Sequence, residues 1–233
     1  MLDKTRHAVD ASRIPSAVRK RFSVALAFDD GYLDHYQIAE LLYGRGVRAT
    51  FFLITGMKYW NNKPLLTHQP QLIRNMRKMK HEIASHTHSH PNLQCITREQ
   101  VGHELRSSKQ YLENLLNEPV EGFAYPYGKY DTRICRTASD YYGYARTAGE
   151  PQNPNLYEMP IRSPGSSLRA CSLEMTKDML RSEGFAIVLL HATNTRSVRV
   201  WIEYMKMFHV HFATVSEIVD AYFGRRNGLT ESG

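Results

Sequence analysis

Two short segments carry residues that could do chemistry: Phe28-Asp29-Asp30-Gly31, and Ser85-His86-Thr87-His88-Ser89-His90. The first sets two adjacent carboxylates at the end of an apolar run. The second sets imidazoles four residues apart. One carboxylate and two imidazoles make a facial metal site with open positions, and the other carboxylate is left to move protons. That is the minimum kit for metal-assisted hydrolysis. Plainer readings exist. Asp29-Asp30-Gly31 also fits a helix N-cap or an Asp-Gly turn, and taken alone that reading is at least as good. A lone histidine in such a segment reads as part of a solvated loop. Three histidines in five residues after an apolar strand favour metal. His86 and His90 share one face of a helical turn, whereas His88 is an alternative ligand if the segment is extended. Pro91 disfavours a helix through His90, so an irregular loop is expected.

Two further segments join these. Phe123-Ala124-Tyr125-Pro126-Tyr127-Gly128 could form the wall of a sugar site, with a turn N–H facing an oxyanion. It fits an aromatic core corner equally well. Val188-Leu189-Leu190-His191 ends an apolar run on a histidine that could act as a general acid. Alone, a core histidine bonded to backbone is the better reading.

The elements that must position these residues follow from periodicity. Apolar runs read as strands over residues 22–28, 49–54, 82–85, 122–125, 144–147, 185–190 and 210–213. Amphipathic segments read as helices over 33–43, 69–79, 97–116, 131–141, 172–182, 198–208 and 215–223. Thr97 with Gln100 forms a capping-box pattern, and Asp131 is an N-cap. Residues 149–165, rich in Pro, Asn and Gly, read as a long irregular loop. Alternating buried-type strands and helices imply a parallel sheet or barrel of α/β class. In such folds active residues gather at the C-terminal ends of strands. Asp29, His86, Tyr125 and His191 each follow an apolar strand, so four runs deliver polar residues to one rim.

A chain of 233 residues with 42% hydrophobic and 23% charged residues is ordinary for a globular protein. No apolar run approaches the roughly 18 residues that span a bilayer. The polar stretch 1–21 lacks the apolar segment of a secretory signal, so a cytoplasmic location is expected, provided no leader has been removed. Three scattered cysteines argue against a disulfide framework. The net charge of +7 suits an anionic partner, but the basic residues are spread out and read as solvated faces. A nucleic-acid-binding module is therefore disfavoured, since the apparent site explains more residues than the charge does.

The four segments, in this order and from about Phe22 to Phe223, resemble the polysaccharide deacetylase (NodB homology) family, carbohydrate esterase family 4. The most specific parts are Ala27-Phe28-Asp29-Asp30-Gly31 with Ala49-Thr50-Phe51-Phe52, and the His86–His90 pair. The resemblance implies a distorted (β/α) barrel of about seven strands over 21–224, with an extension over 1–20 and a tail over 225–233. It implies Asp29 as the general base, Asp30, His86 and His90 as ligands of a divalent metal, Tyr127 as the oxyanion N–H, and His191 as the general acid. Zinc is the expected metal; iron, cobalt and nickel also suit such a donor set. The implied activity is hydrolytic removal of N-acetyl groups from an amino sugar or glycan by metal-activated water. The alternatives are hydrolysis of another C–N bond, such as a cyclic amide, or a non-catalytic glycan binder on the same fold. In the third motif the family usually opens with an arginine that pairs with the catalytic aspartate. Here that position is Ala124, and Arg162 is the sequence candidate to orient Asp29 instead. Tyr125 joins Tyr127 as a candidate substrate contact. A fourth motif with its Asp and Trp is not evident.

Overall fold

The structure, a computed structural model, describes residues 22–148, 184–190 and 194–223 together with Thr176, Leu180 and Arg181. Seven parallel strands build one curled sheet, with helices outside it: β1 (Ser23–Phe28), β2 (Thr50–Leu53), β5 (Glu82–Ser85), β6 (Gly122–Ala124), β7 (Tyr144–Arg146), β8 (Phe185–Leu190) and β9 (His211–Ala213). The strand order is β7-β6-β5-β2-β1-β8, with β9 paired to the start of β1. This is the distorted, open (β/α) barrel expected from the sequence. A separate hairpin, β3 (Tyr59–Trp60) and β4 (Lys63–Pro64), stands after β2.

All six residues of β1 are buried, as a central parallel strand demands. Side chains alternate between two cores. Val24, Leu26 and Phe28 join the layer under the helices, while Ala25 and Ala27 face the barrel interior with Phe52, Ala84 and Ala124. The alanines keep that interior open to larger groups. The helices α1 (His35–Tyr43), α2 (Pro70–Lys78), α3 (Arg98–Leu116), α4 (Thr132–Ser139), α5 (Thr195–Lys206) and α6 (Val215–Tyr222) follow the sequence pattern closely. Both halves of the α3 capping box form: Gln100 N donates to Thr97 Oγ1 at 3.2 Å, and Thr97 N donates to Gln100 Oε1 at 2.9 Å. Asp131 Oδ1 caps α4 by accepting from Ile134 N at 2.8 Å.

Two local features differ from the sequence reading. Helix α5 begins at Thr195, earlier than the expected 198, because Asn194 Oδ1 accepts from Ser197 N at 2.8 Å and caps it there. The β3–β4 hairpin was not anticipated. Its turn is Asn61-Asn62, with φ of 47° and 59°, the left-handed pair that a two-residue hairpin needs and asparagine tolerates. The irregular loop expected over 149–165 and most of the helix expected over 172–182 lie outside the described residues, as do Arg162 and His191. No described helix is long and apolar enough to cross a membrane.

Candidate metal centre and its surroundings

Each site residue leaves the C-terminal end of a strand. Asp29 and Asp30 follow β1, His86 follows β5, and Arg146 ends β7. Asp29 N donates to Leu190 O at 3.1 Å, so the end of β8, which His191 follows in sequence, lies beside Asp29. The chain then bends through residues at left-handed φ: Asp30 (70°), Thr87 (69°), His90 (57°) and Tyr127 (59°). Four non-glycine residues in this region at one rim are a cost the surrounding contacts must hold, as at many functional sites.

Asp30, His86 and His90 are all buried, and they bring one donor atom each within 4.8 Å of the others. His86 Nε2 and His90 Nε2 are 3.2 Å apart, and each lies 3.6 Å from Asp30 Oδ1. An ion with bonds of about 2.0–2.2 Å in tetrahedral geometry needs donors about 3.3–3.6 Å apart, so these edges fit a metal. The donor chemistry fits too. His86 Nδ1 lies 2.9 Å from the Ala124 carbonyl, which fixes its proton there and leaves the Nε2 lone pair for a cation. The sequence-level ligand set thus comes together as expected.

The histidine loop is tied down on several sides. Glu104 on α3 is only 8% exposed, and its carboxylate accepts from His88 N at 2.9 Å, Ser89 N at 2.7 Å and Ser89 Oγ at 2.6 Å. Gly56 N donates to His88 O at 2.7 Å, and His90 N donates to Thr87 Oγ1 at 3.0 Å. His88 turns to Thr55 and is not among the donors; its Nδ1 lies 3.4 Å from Thr55 Oγ1. Tyr32 lies beside Asp30. Burial first, and the Asp30 carboxylate second, push its hydroxyl up to about 12, so it stays protonated against that carboxylate.

Asp29 stands beside this set, its Oδ2 3.8 Å from His86 Nε2. Two adjacent carboxylates, 3% and 5% exposed, need positive charge close by. Arg146 supplies it to Asp29: its Nη2 donates to Asp29 Oδ1, and its Nη1 donates to Thr147 O at 3.2 Å. The guanidinium is fully buried and lies 4.4 Å over the Phe52 ring. Burial pushes it down to about 9, so it remains charged at neutral pH. Arg162, the sequence candidate for this task, lies outside the described residues. Arg146 sits in register beside Ala124, with Tyr125 N donating to Arg146 O at 3.2 Å. The arginine missing at Ala124 is therefore supplied one strand over, and the small side chain of Ala124 belongs to the interior where Arg146 lies.

The third segment divides. Tyr127 reaches the site: its ring lies 4.7 Å from that of His90, its hydroxyl donates to His90 O at 3.4 Å, and its side chain is largely exposed. Tyr125 does not. It is 1% exposed, packed between Phe123 and Tyr130, with its hydroxyl 3.5 Å from Cys135 Sγ. The strand alternation that turns Ala124 inward turns Tyr125 into the helix layer, so its assignment as a substrate contact is corrected to a core role. Sequence reasoning also missed Trp60, whose ring lies 4.6 Å from that of His90. The signal was the Asn-Asn turn between Tyr59-Trp60 and Lys63-Pro64.

A cleft of about 380 Å³ opens at the opposite ends of the strands, lined among others by Arg48, Arg77, Glu82 and Glu217. Its charges match internally, Arg48 with Glu217 and Arg77 with Glu118. Burial raises the Glu82 carboxyl, which accepts from Thr50 Oγ1, Tyr144 Oη and Ser216 N at 2.7–3.1 Å. This end ties strands together, whereas the titratable donor set lies at the other.

The sequence profile of the polysaccharide deacetylase family matches residues 17–146, and the chain belongs to that family. The chain is 32% identical over 120 residues to the chitooligosaccharide deacetylase of Azorhizobium caulinodans, which covers 50% of this chain and 53% of that protein. Overall it spans about half the length, or less, of the curated relatives it matches. Its fold resembles the carbohydrate esterase family 4 domain of a xylanase from the hindgut metagenome of Trinervitermes trinervoides, with a TM-score of 0.64 at 21% identity, covering 86% of this chain and 90% of that one. A Bacillus anthracis pseudoenzyme of the same esterase family shares the fold with a TM-score of 0.65 at 18% identity, covering 87% of this chain and 67% of that one.

Proposed function

We propose that this chain is a metal-dependent hydrolase that removes N-acetyl groups from an amino sugar or glycan. The observation that carries the reading is the pairing of a complete three-donor set with an adjacent carboxylate held by a buried arginine. A binder that had lost catalysis has no need to keep Asp29 so buried and so paired. Asp30, His86 and His90 would hold the metal, with zinc the preferred ion; iron, cobalt and nickel also suit these donors. When bound, such an ion polarises the amide carbonyl and makes water acidic enough to attack near neutral pH.

The residues around it divide the remaining work. Asp29 takes the proton of the attacking water at Oδ2, while Oδ1 stays on the Arg146 guanidinium, so the carboxylate is held in place as its charge changes. The Tyr127 main-chain N–H donates to the carbonyl oxygen as negative charge develops there. His191 gives a proton to the departing amine nitrogen. The last two roles rest on family resemblance.

Acetate release from N-acetylglucosamine oligomers tests the reading, with wild type compared to Asp29→Ala and a cyclic amide as control substrate. Acetate release by wild type and its loss in the variant are expected. Equal turnover in both proteins sinks the assigned base, and turnover of the cyclic amide alone moves the reaction to another C–N bond.

A further inference from the structure

We infer that Trp60, at the edge of the β3–β4 hairpin, is a substrate-binding wall that stacks against the sugar ring presented to the metal residues. This rests on the deacetylase reading of the site. Trp60 and Tyr127 both pack on the His90 ring, at 4.6 and 4.7 Å, so aromatic side chains flank an imidazole whose Nε2 belongs to the donor set. Neither is covered. Trp60 is only partly buried and Tyr127 is 56% exposed. Exposed aromatic surface beside a polar donor set suits a ligand with an apolar face and polar edges, and a pyranose has both. Its C–H face carries slight positive charge, which matches the negative face of an indole.

The wall is built rather than draped. At the hairpin base Leu33 N donates to Pro64 O at 2.9 Å, and Leu66 N donates to Gly31 O at 2.8 Å. Asn61 Nδ2 at the turn donates to Tyr32 Oη at 3.4 Å. The hairpin is thereby fastened to the Asp29–Tyr32 segment that carries the base and a metal ligand. Alternation along β3 sends Trp60 to His90 and Tyr59 to His68, with rings 5.7 Å apart. The position of Trp60 is thus fixed by the same loop that fixes Asp30.

The chain offers its own reporter. It has two tryptophans, and the other, Trp201, is 3% exposed in the core. Tryptophan emission of zinc-loaded wild type, Trp60→Phe and Trp60→Leu is followed while the β-1,4-linked trimer of N-acetylglucosamine is added, with calorimetry giving the affinity. The expected result is a saturable emission change in wild type that is absent in Trp60→Phe. Trp60→Leu should bind the trimer about fivefold more weakly, as loss of an aromatic contact implies, with Trp60→Phe close to wild type and zinc content retained in both. Trimer binding by wild type without any emission change overturns the inference, as does no binding at all. Loss of zinc in Trp60→Leu in proportion to lost trimer affinity also overturns it, because Trp60 would then merely support His90. If wild type binds the trimer with the expected changes but releases no acetate, the wall stands and the deacetylase reading fails.

Discussion

Replacing Arg146 with methionine tests the pairing that holds Asp29. The guanidinium is fully buried, and the Asp29 side chain is 4% exposed. Removing one partner of so buried a pair leaves an uncompensated charge and costs about 3–5 kcal/mol. For a domain of this size that lowers Tm by roughly 6–20 °C. Most of the loss should depend on Asp29. In an Asp29→Asn background the carboxylate is already gone, and the coupling energy of the four-protein cycle should be about 2–3 kcal/mol. Arg146→Lys keeps the charge but not the planar fork, so it should recover only part of the stability. Activity should fall on the order of a hundredfold in Arg146→Met, because a base displaced by about 1 Å loses that much. Urea unfolding of the four proteins at pH 7 and acetate release by the single variants measure these quantities. A coupling energy below about 0.5 kcal/mol, with Tm unchanged in Arg146→Met, would refute the pairing.

Three further outcomes follow from the structure. His81 accepts from Ala49 N through Nδ1 at 3.2 Å, and its Nε2 faces Ala39 O at 3.0 Å, so the fold needs it neutral. Burial lowers it from 6.5 to about 4, and the unfolded chain therefore binds more protons between those values. Its contribution is complete above about pH 6.5 and falls by roughly 3 kcal/mol as pH drops towards 4; urea titrations across that window should show the slope, flattened in His81→Gln. Glu104→Ala frees the amides of His88 and Ser89 and should weaken zinc binding by about 10–100-fold, measured by chelator competition. Gly31→Ala places a methyl 2.7 Å from Leu53 Cδ2 at φ +75°, and should destabilise the fold by about 2 kcal/mol in thermal unfolding.

The donor set was legible because it is local. His86 and His90 come from one loop, and Asp30 follows a strand whose burial is plain in Val24-Ala25-Leu26-Ala27-Phe28. The capped helices were legible for the same reason, since Thr97 and Gln100 meet within one turn. Arg146 was not, because its partner is 117 positions away and the contact exists only once the sheet order sets β7 beside β6. The useful sign was its place at the end of a strand, level with Ala124. Glu104 carries no local sign of its task, and only the docking of α3 against β5 turns it to the histidine loop. Tyr125 misled because a Tyr-Pro-Tyr run does not reveal where strand alternation gives way to the turn.

The most direct test of the account is metal content. Wild type dialysed against zinc and measured by mass spectrometry of the metal should hold one ion per chain, and Asp30→Ala none under the same conditions. A wild type that takes up no metal on titration, or an Asp30→Ala variant that binds it as well as wild type, would contradict the assignment of Asp30, His86 and His90 as the metal centre.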